Sequence, residues 1–69
     1  MNLNEKIANR IIELRTKQGL TLEKLAYFSE ISKSTLSEIE SAKSELKVAT
    51  LYKITEALEI SLEDFFKGF

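Results

Sequence analysis

Three times along this 69-residue chain a hydroxyl residue stands directly before a short stretch of helix-spaced apolar side chains: Thr21, Ser32 and Ser61. A Ser or Thr at such a place accepts a hydrogen bond from the first turn of a helix and so marks its start. Apolar residues three and four apart share one helix face, whereas a strand would alternate with period two. The chain is therefore constrained to several short helices whose apolar faces must meet in one core. The first stretch covers about residues 4–18, with Ile7, Ile11 and Leu14 on one stripe, and Gly19 follows as a left-handed terminator. The second begins at Thr21 and carries Leu22, Leu25, Ala26 and Phe28. The third covers about residues 33–42, before a polar loop at 43–47. The fourth covers about residues 48–58, with Val48, Leu51, Ile54 and Leu58 on one side. Ser61 opens a short fifth helix that runs toward Phe65, Phe66 and Phe69. No alternating β-branched run and no hairpin turn is present. These features predict an all-α fold of five helices in a single domain, residues 1–69, with a helix-turn-helix at about 21–42.

Composition narrows the function. There is no cysteine and no histidine, so disulfides and the usual zinc ligand sets are ruled out. No glycine-rich phosphate loop exists, and Glu5, Glu13, Glu23 and Glu45 read as scattered, solvated carboxylates. The expectation is a non-enzyme with no metal and no cofactor. Residues 1–6 lack the basic start and apolar run of a secretory leader, and no segment is apolar enough for a membrane span. A cytoplasmic protein without membrane contact is expected. A core this small gives marginal stability, which favours a second subunit.

Net charge is −1, a mild argument against nucleic acid, but the charges are uneven. Residues 1–47 hold eight Lys or Arg and seven Asp or Glu; residues 48–69 hold two and four. The third helix is the informative element. Leu36 and Ile39 form its apolar side, and Lys33, Ser34, Ser37, Glu38 and Ser41 fall opposite. Short polar side chains allow close approach to a duplex groove. Hydroxyls reach base edges and phosphates, lysine donates to guanine, and glutamate accepts from the cytosine amino group. The bland alternative is a solvated helix face, and Glu38 on its own would repel phosphates.

In this context the chain resembles the Cro and phage-repressor type of helix-turn-helix, the xenobiotic-response-element (XRE) family with a lambda-repressor-like fold. The resemblance runs from Ile7 to Phe66. It rests on Ile11-x-x-Leu14-Arg15, Gly19-Leu20-Thr21, Leu25-Ala26, the stretch Ile31 to Glu40, and Leu51, Ile54, Ala57-Leu58, Ile60-Ser61 and Phe65. It implies a transcriptional regulator that binds a palindromic operator on double-stranded DNA as a homodimer, third helix in the major groove. It places base contacts at Lys33, Ser34, Thr35, Ser37 and Glu38. It places phosphate contacts at Thr21, Lys24, Ser41, Lys43 and Lys47, and leaves Arg15 either structural or on a phosphate. The chain departs from the family at four points: Leu22 replaces a glutamine, Glu30 and Ala42 replace glycines, and Leu46 replaces a proline. Residues 44–48 resemble controller proteins of restriction–modification systems and some antitoxins, so a toxin or other protein partner on the same fold is the alternative.

Ile12 lies off the first helix's stripe, and Leu62, Phe66 and Phe69 exceed what a short terminal helix needs as an anchor. These four are assigned to a dimer surface and Phe65 to the core. The alternative is that Phe65 and Phe66 both close the core.

Overall fold

The computed structural model describes residues 2–69, and its regular structure is helical throughout: α1 (Leu3–Lys17), α2 (Leu22–Ser29), α3 (Lys33–Glu40), α4 (Val48–Ala57) and α5 (Leu62–Phe65). Helix α2 packs on α3 and α4, α1 packs on α3, and α5 closes against α4. Each anticipated hydroxyl cap is made. Thr21, Ser32 and Ser61 accept from the amides of Lys24, Thr35 and Asp64 respectively. One cap was not anticipated. Asn2 and Glu5 form a reciprocal capping box at the start of α1, which begins two residues after Met1.

Four helix ends use one backbone device. After α1, the amide of Leu20 reaches back to the carbonyl of Arg15, and that of Gly19 to Thr16. The same pair of bonds recurs at Glu30 and Ile31, at Ala42 and Lys43, and at Glu59 and Ile60. This closure places one residue in the left-handed region. Gly19 fills that place after α1, but Glu30, Ala42 and Glu59 fill it elsewhere, at φ of 58°, 59° and 59°. A side chain there costs about 1 kcal/mol. The third helix accordingly ends at Glu40, earlier than the expected 42, because the chain turns left-handed at Ala42. Ala42→Gly is therefore expected to stabilise the protein by about 0.5–1 kcal/mol, measured as a raised midpoint in urea.

The core joins Ile7, Ile11 and Leu14 of α1 to Leu25 and Ala26, to Leu36 and Ile39, to Leu51, Ile54 and Leu58, and to Phe65. Val48 is a correction: it is 74% exposed, off the buried side of α4. It sits in the first turn of the helix, while Leu46 of the preceding loop packs against the core instead. Phe28 is likewise exposed on α2, and the buried residue near it is Ser29. The Ser29 hydroxyl donates to the carbonyl of Leu25 at 2.6 Å, so its burial leaves no unmet polar group.

Side chains also bind the helix ends together. Gln18 donates to the carbonyl of Leu58, tying the end of α1 to the end of α4. Arg10 donates through Nε to the carbonyl of Phe65 and through its terminal nitrogens to the carbonyl of Asp64 and to Glu13. Arg10 thereby holds α5, with its run of phenylalanines, against α1.

Candidate functional site

Helix α3 is pinned through Leu36, fully buried, and Ile39, nearly so. Its opposite side is open. Lys33, Ser34, Thr35, Ser37 and Glu38 are all exposed, as are Thr21, Lys24, Ser41, Lys43 and Lys47. The ten residues lie on the start of α2, the length of α3 and the loop that follows.

The start of α3 carries a run of hydroxyls. Ser32 Oγ accepts from the Thr35 amide, donates to Thr35 Oγ1 at 2.8 Å, and lies 3.4 Å from Ser34 Oγ. Thr35 keeps its own proton for an outside acceptor. Thr21 is similar: its oxygen caps α2 by accepting from Lys24, which leaves the hydroxyl proton to donate. Ser41 turns inward on the backbone, donating to the carbonyl of Glu38. Lys24, Lys43 and Lys47 form no ion pair among the described residues.

Arg15 is placed differently. Its Nε and a terminal nitrogen donate to the two carboxylate oxygens of Glu40 at 2.8 and 3.0 Å, and its other terminal nitrogen donates to the carbonyl of Leu20. Each guanidinium nitrogen thus has a partner within the fold, and of the two roles open to it the clasp is the one its geometry supports. The hydrogen bond to Glu40 raises the Arg15 pKa; burial opposes this, and the charges of Glu40 and Glu23 add to it. Glu40 went unnoticed in the sequence. Its signal was its position: four residues after Leu36, it stands on the buried row of α3, where a carboxylate needs a partner.

A second pairing was also missed. Lys33 Nζ lies 2.9 Å from Glu23 Oε2, linking the start of α3 to the first turn of α2. The hydrogen bond from Lys33 holds the Glu23 carboxyl below the usual range, and the backbone amide of Glu23 and the charge of Lys33 act in the same sense. No spacing rule flags two residues ten apart on different helices.

On another part of the surface, Phe65 is buried while Phe66 and Phe69 are 38% and 43% exposed, and Ile12 and Leu62 are half-buried. The rings of Phe66 and Phe69 meet edge to face at 5.0 Å, and Phe65 touches both. No group of His, Cys, Asp or Glu suited to a metal occurs among the described residues, and none of the described helices is long and apolar enough to cross a membrane.

Residues 11–65 match the model of the HTH_3 helix-turn-helix family. The chain belongs to this XRE-type family of transcriptional regulators. The restriction–modification controller protein C.Esp1396I shares 33% identity over 97% of this chain and 87% of its own, with a TM-score of 0.92. The controller protein C.AhdI from Aeromonas hydrophila shares 30% identity over 91% of this chain and 96% of its own, with a TM-score of 0.87. The HTH-type transcriptional regulator SutR of Escherichia coli K12 is 34% identical over 64 residues, 93% of this chain. The chain spans only 36% of SutR's length. The likeness to controller proteins read from residues 44–48 thus extends over nearly the whole chain. Within the family pattern, α2 and α3 are the helix-turn-helix, and α3 is the element whose outer face is polar and open.

Proposed function

We propose that this protein is a DNA-binding transcriptional regulator that acts in the cytoplasm, binding a palindromic operator as a homodimer with α3 in the major groove. The observation that carries this reading is the outer face of α3: small, polar and uncovered, on a helix fixed to the body by Leu36 and Ile39. C.Esp1396I has been solved as a tetramer on its natural 35-base-pair operator, which supports the same mode of action here. Lys33, Ser34, Thr35, Ser37 and Glu38 are assigned to base edges. Thr21 and Lys24 at the amide-rich start of α2, and Ser41, Lys43 and Lys47 after the end of α3, are assigned to phosphates, Ser41 by turning its hydroxyl from the carbonyl of Glu38. Arg15 is left out of this set because Glu40 and Leu20 occupy it.

Weak overall charge makes dimerisation valuable, since two copies double the phosphate contacts. The surface around Ile12, Leu62, Phe66 and Phe69 is assigned to the two-fold interface. Such pairing sets the two α3 helices about 34 Å apart, one turn of duplex. Replacing Phe66 and Phe69 together by Ser is expected to convert the dimer to a monomer in sedimentation and to weaken operator binding at least tenfold, with Phe65 still holding the core. A dimer that survives both changes places the interface elsewhere.

The decisive experiment is selection of duplexes from a random pool, followed by titration across salt. Recovery of a two-fold symmetric site, bound with a steep salt dependence, is the expected result; no enrichment removes the reading. On the selected site, Lys33→Ala should cost about 1–3 kcal/mol and relax preference at one position. Lys43→Ala should weaken all duplexes alike and lower the salt slope by about one.

A further inference from the structure

The Lys33–Glu23 pair adds little to the stability of the fold. Both side chains are more than half exposed. An exposed pair of this kind contributes at most about 1 kcal/mol to stability. Its location is the informative fact. Glu23 lies between Thr21 and Lys24, and Lys33 is the first residue of α3. A carboxylate is therefore held in the middle of the surface assigned to DNA, against the lysine assigned to a base.

A lysine ammonium is a compact charge on a flexible stem with three donors. Left to itself at the edge of a groove, it has phosphates within reach of many rotamers and a base within reach of few. The bond to Glu23 engages one donor and restricts the stem, leaving two donors for the adjacent acceptors O6 and N7 of a guanine. The residue directly after Thr21 offers no polar group for this purpose, because it is Leu22. Glu23 is the polar side chain of the α2 start that meets the α3 start. A carboxylate at that place also repels the phosphates of any duplex that does not draw Lys33 to a base.

We propose that Glu23 is a positioning residue for base reading: it directs Lys33 to a guanine rather than to the backbone, and so sets the ratio of specific to non-specific DNA binding. This rests on the DNA-binding reading above.

The test compares wild type, Glu23→Gln, Lys33→Ala and the double variant on two probes, at several salt concentrations. One probe is the duplex that wild type selects from a random pool, and the other is a scrambled duplex of the same length and composition. Glu23→Gln should bind the scrambled duplex about fivefold tighter, while affinity for the selected duplex changes less than twofold. Its salt slope on the scrambled duplex should steepen by about one, as a freed Lys33 takes up a phosphate. In the Lys33→Ala background the same change should leave the ratio of the two affinities unaltered. Equal tightening on both probes, or an effect that persists without Lys33, makes Glu23 a repelling charge only and overturns the proposal. A wild type that selects no duplex overturns the DNA-binding reading itself. A readout without DNA stands beside these: in Lys33→Ala the Glu23 carboxyl should titrate at higher pH by NMR. An unchanged titration shows that the tether is not made in solution.

Discussion

Arg15→Ala is expected to destabilise the protein by about 2–3 kcal/mol, seen as a midpoint lowered by roughly 10–20 °C in thermal unfolding. The size follows from what is left behind. The Glu40 side chain is 9% exposed, and its two oxygens are matched by the bidentate guanidinium. Removing the arginine leaves that carboxylate poorly solvated and unpaired, and frees the carbonyl of Leu20 as well. For a domain whose whole stability is of order 5 kcal/mol, this is a large share. Arg15→Lys keeps the charge but loses the second bond of the fork, so a smaller loss of about 1 kcal/mol is expected. Arg15→Met combined with Glu40→Met should recover most of the loss of Arg15→Ala, because replacing both charges leaves no buried ion. A double variant as unstable as Arg15→Ala alone would show that packing around the stem dominates. The alkaline side of the pH dependence follows from the arginine. Because the Arg15 pKa is raised on folding, its contribution is fully present below the ordinary arginine value and is lost only as pH rises through the higher folded value. The Arg15→Ala deficit should therefore be the same at pH 7 and at pH 10.

The clasp also bears on function. Leu36 and Ile39 hold α3 through its buried face. The Arg15–Glu40 bond joins the last residue of α3 to α1 and, through the carbonyl of Leu20, to the approach to α2. Three elements are thereby fixed at the end of the helix remote from Lys33. Variants that stay folded but lack the clasp should lose discrimination between duplexes before they lose affinity.

Local signals made most of this architecture legible. The hydroxyl caps at Thr21, Ser32 and Ser61 and the apolar stripes of α1 and α3 each lie within a few residues, and each is found where the sequence places it. Glu30 could be assigned a left-handed turn only through the family's glycine. Glu59 carried no sign of the same conformation, because the bonds that hold it are backbone bonds to the carbonyls of Glu56 and Thr55, which leave no mark in side-chain identity. Val48 misled because helix periodicity extends an apolar row without knowing where the neighbouring helix stops. The candidate site divides in the same way. The exposed face of α3 follows from spacing alone. The partners that discipline it, Glu40 for Arg15 and Glu23 for Lys33, join residues 25 and 10 apart and become visible only once α1, α2 and α3 are packed.

Ser37→Glu should abolish operator binding without unfolding the protein. Ser37 is exposed on α3, one residue after the fully buried Leu36 and immediately before Glu38. Its side chain makes no hydrogen bond among the described residues, and glutamate is a good helix former, so thermal stability should change by less than about 0.5 kcal/mol. In the complex the new carboxylate would stand beside that of Glu38 in the major groove, between the two phosphate backbones. Like charges set together in an interface cost several kcal/mol, so a loss of at least about 100-fold in affinity is expected. The pair of measurements separates the two readings of this helix face. A solvated surface with no ligand predicts unchanged melting and no effect on binding. A groove-facing surface predicts unchanged melting and lost binding, on scrambled duplexes as well as on the operator, because the added charge repels backbone phosphates whatever the base sequence. Ser37→Ala is the complementary change: it removes one hydroxyl and no charge, so it should cost about 1 kcal/mol or less and act mainly on the operator. Operator affinity retained in Ser37→Glu would move the DNA-binding surface away from α3, and with it the assignments of Lys33, Ser34, Thr35 and Glu38.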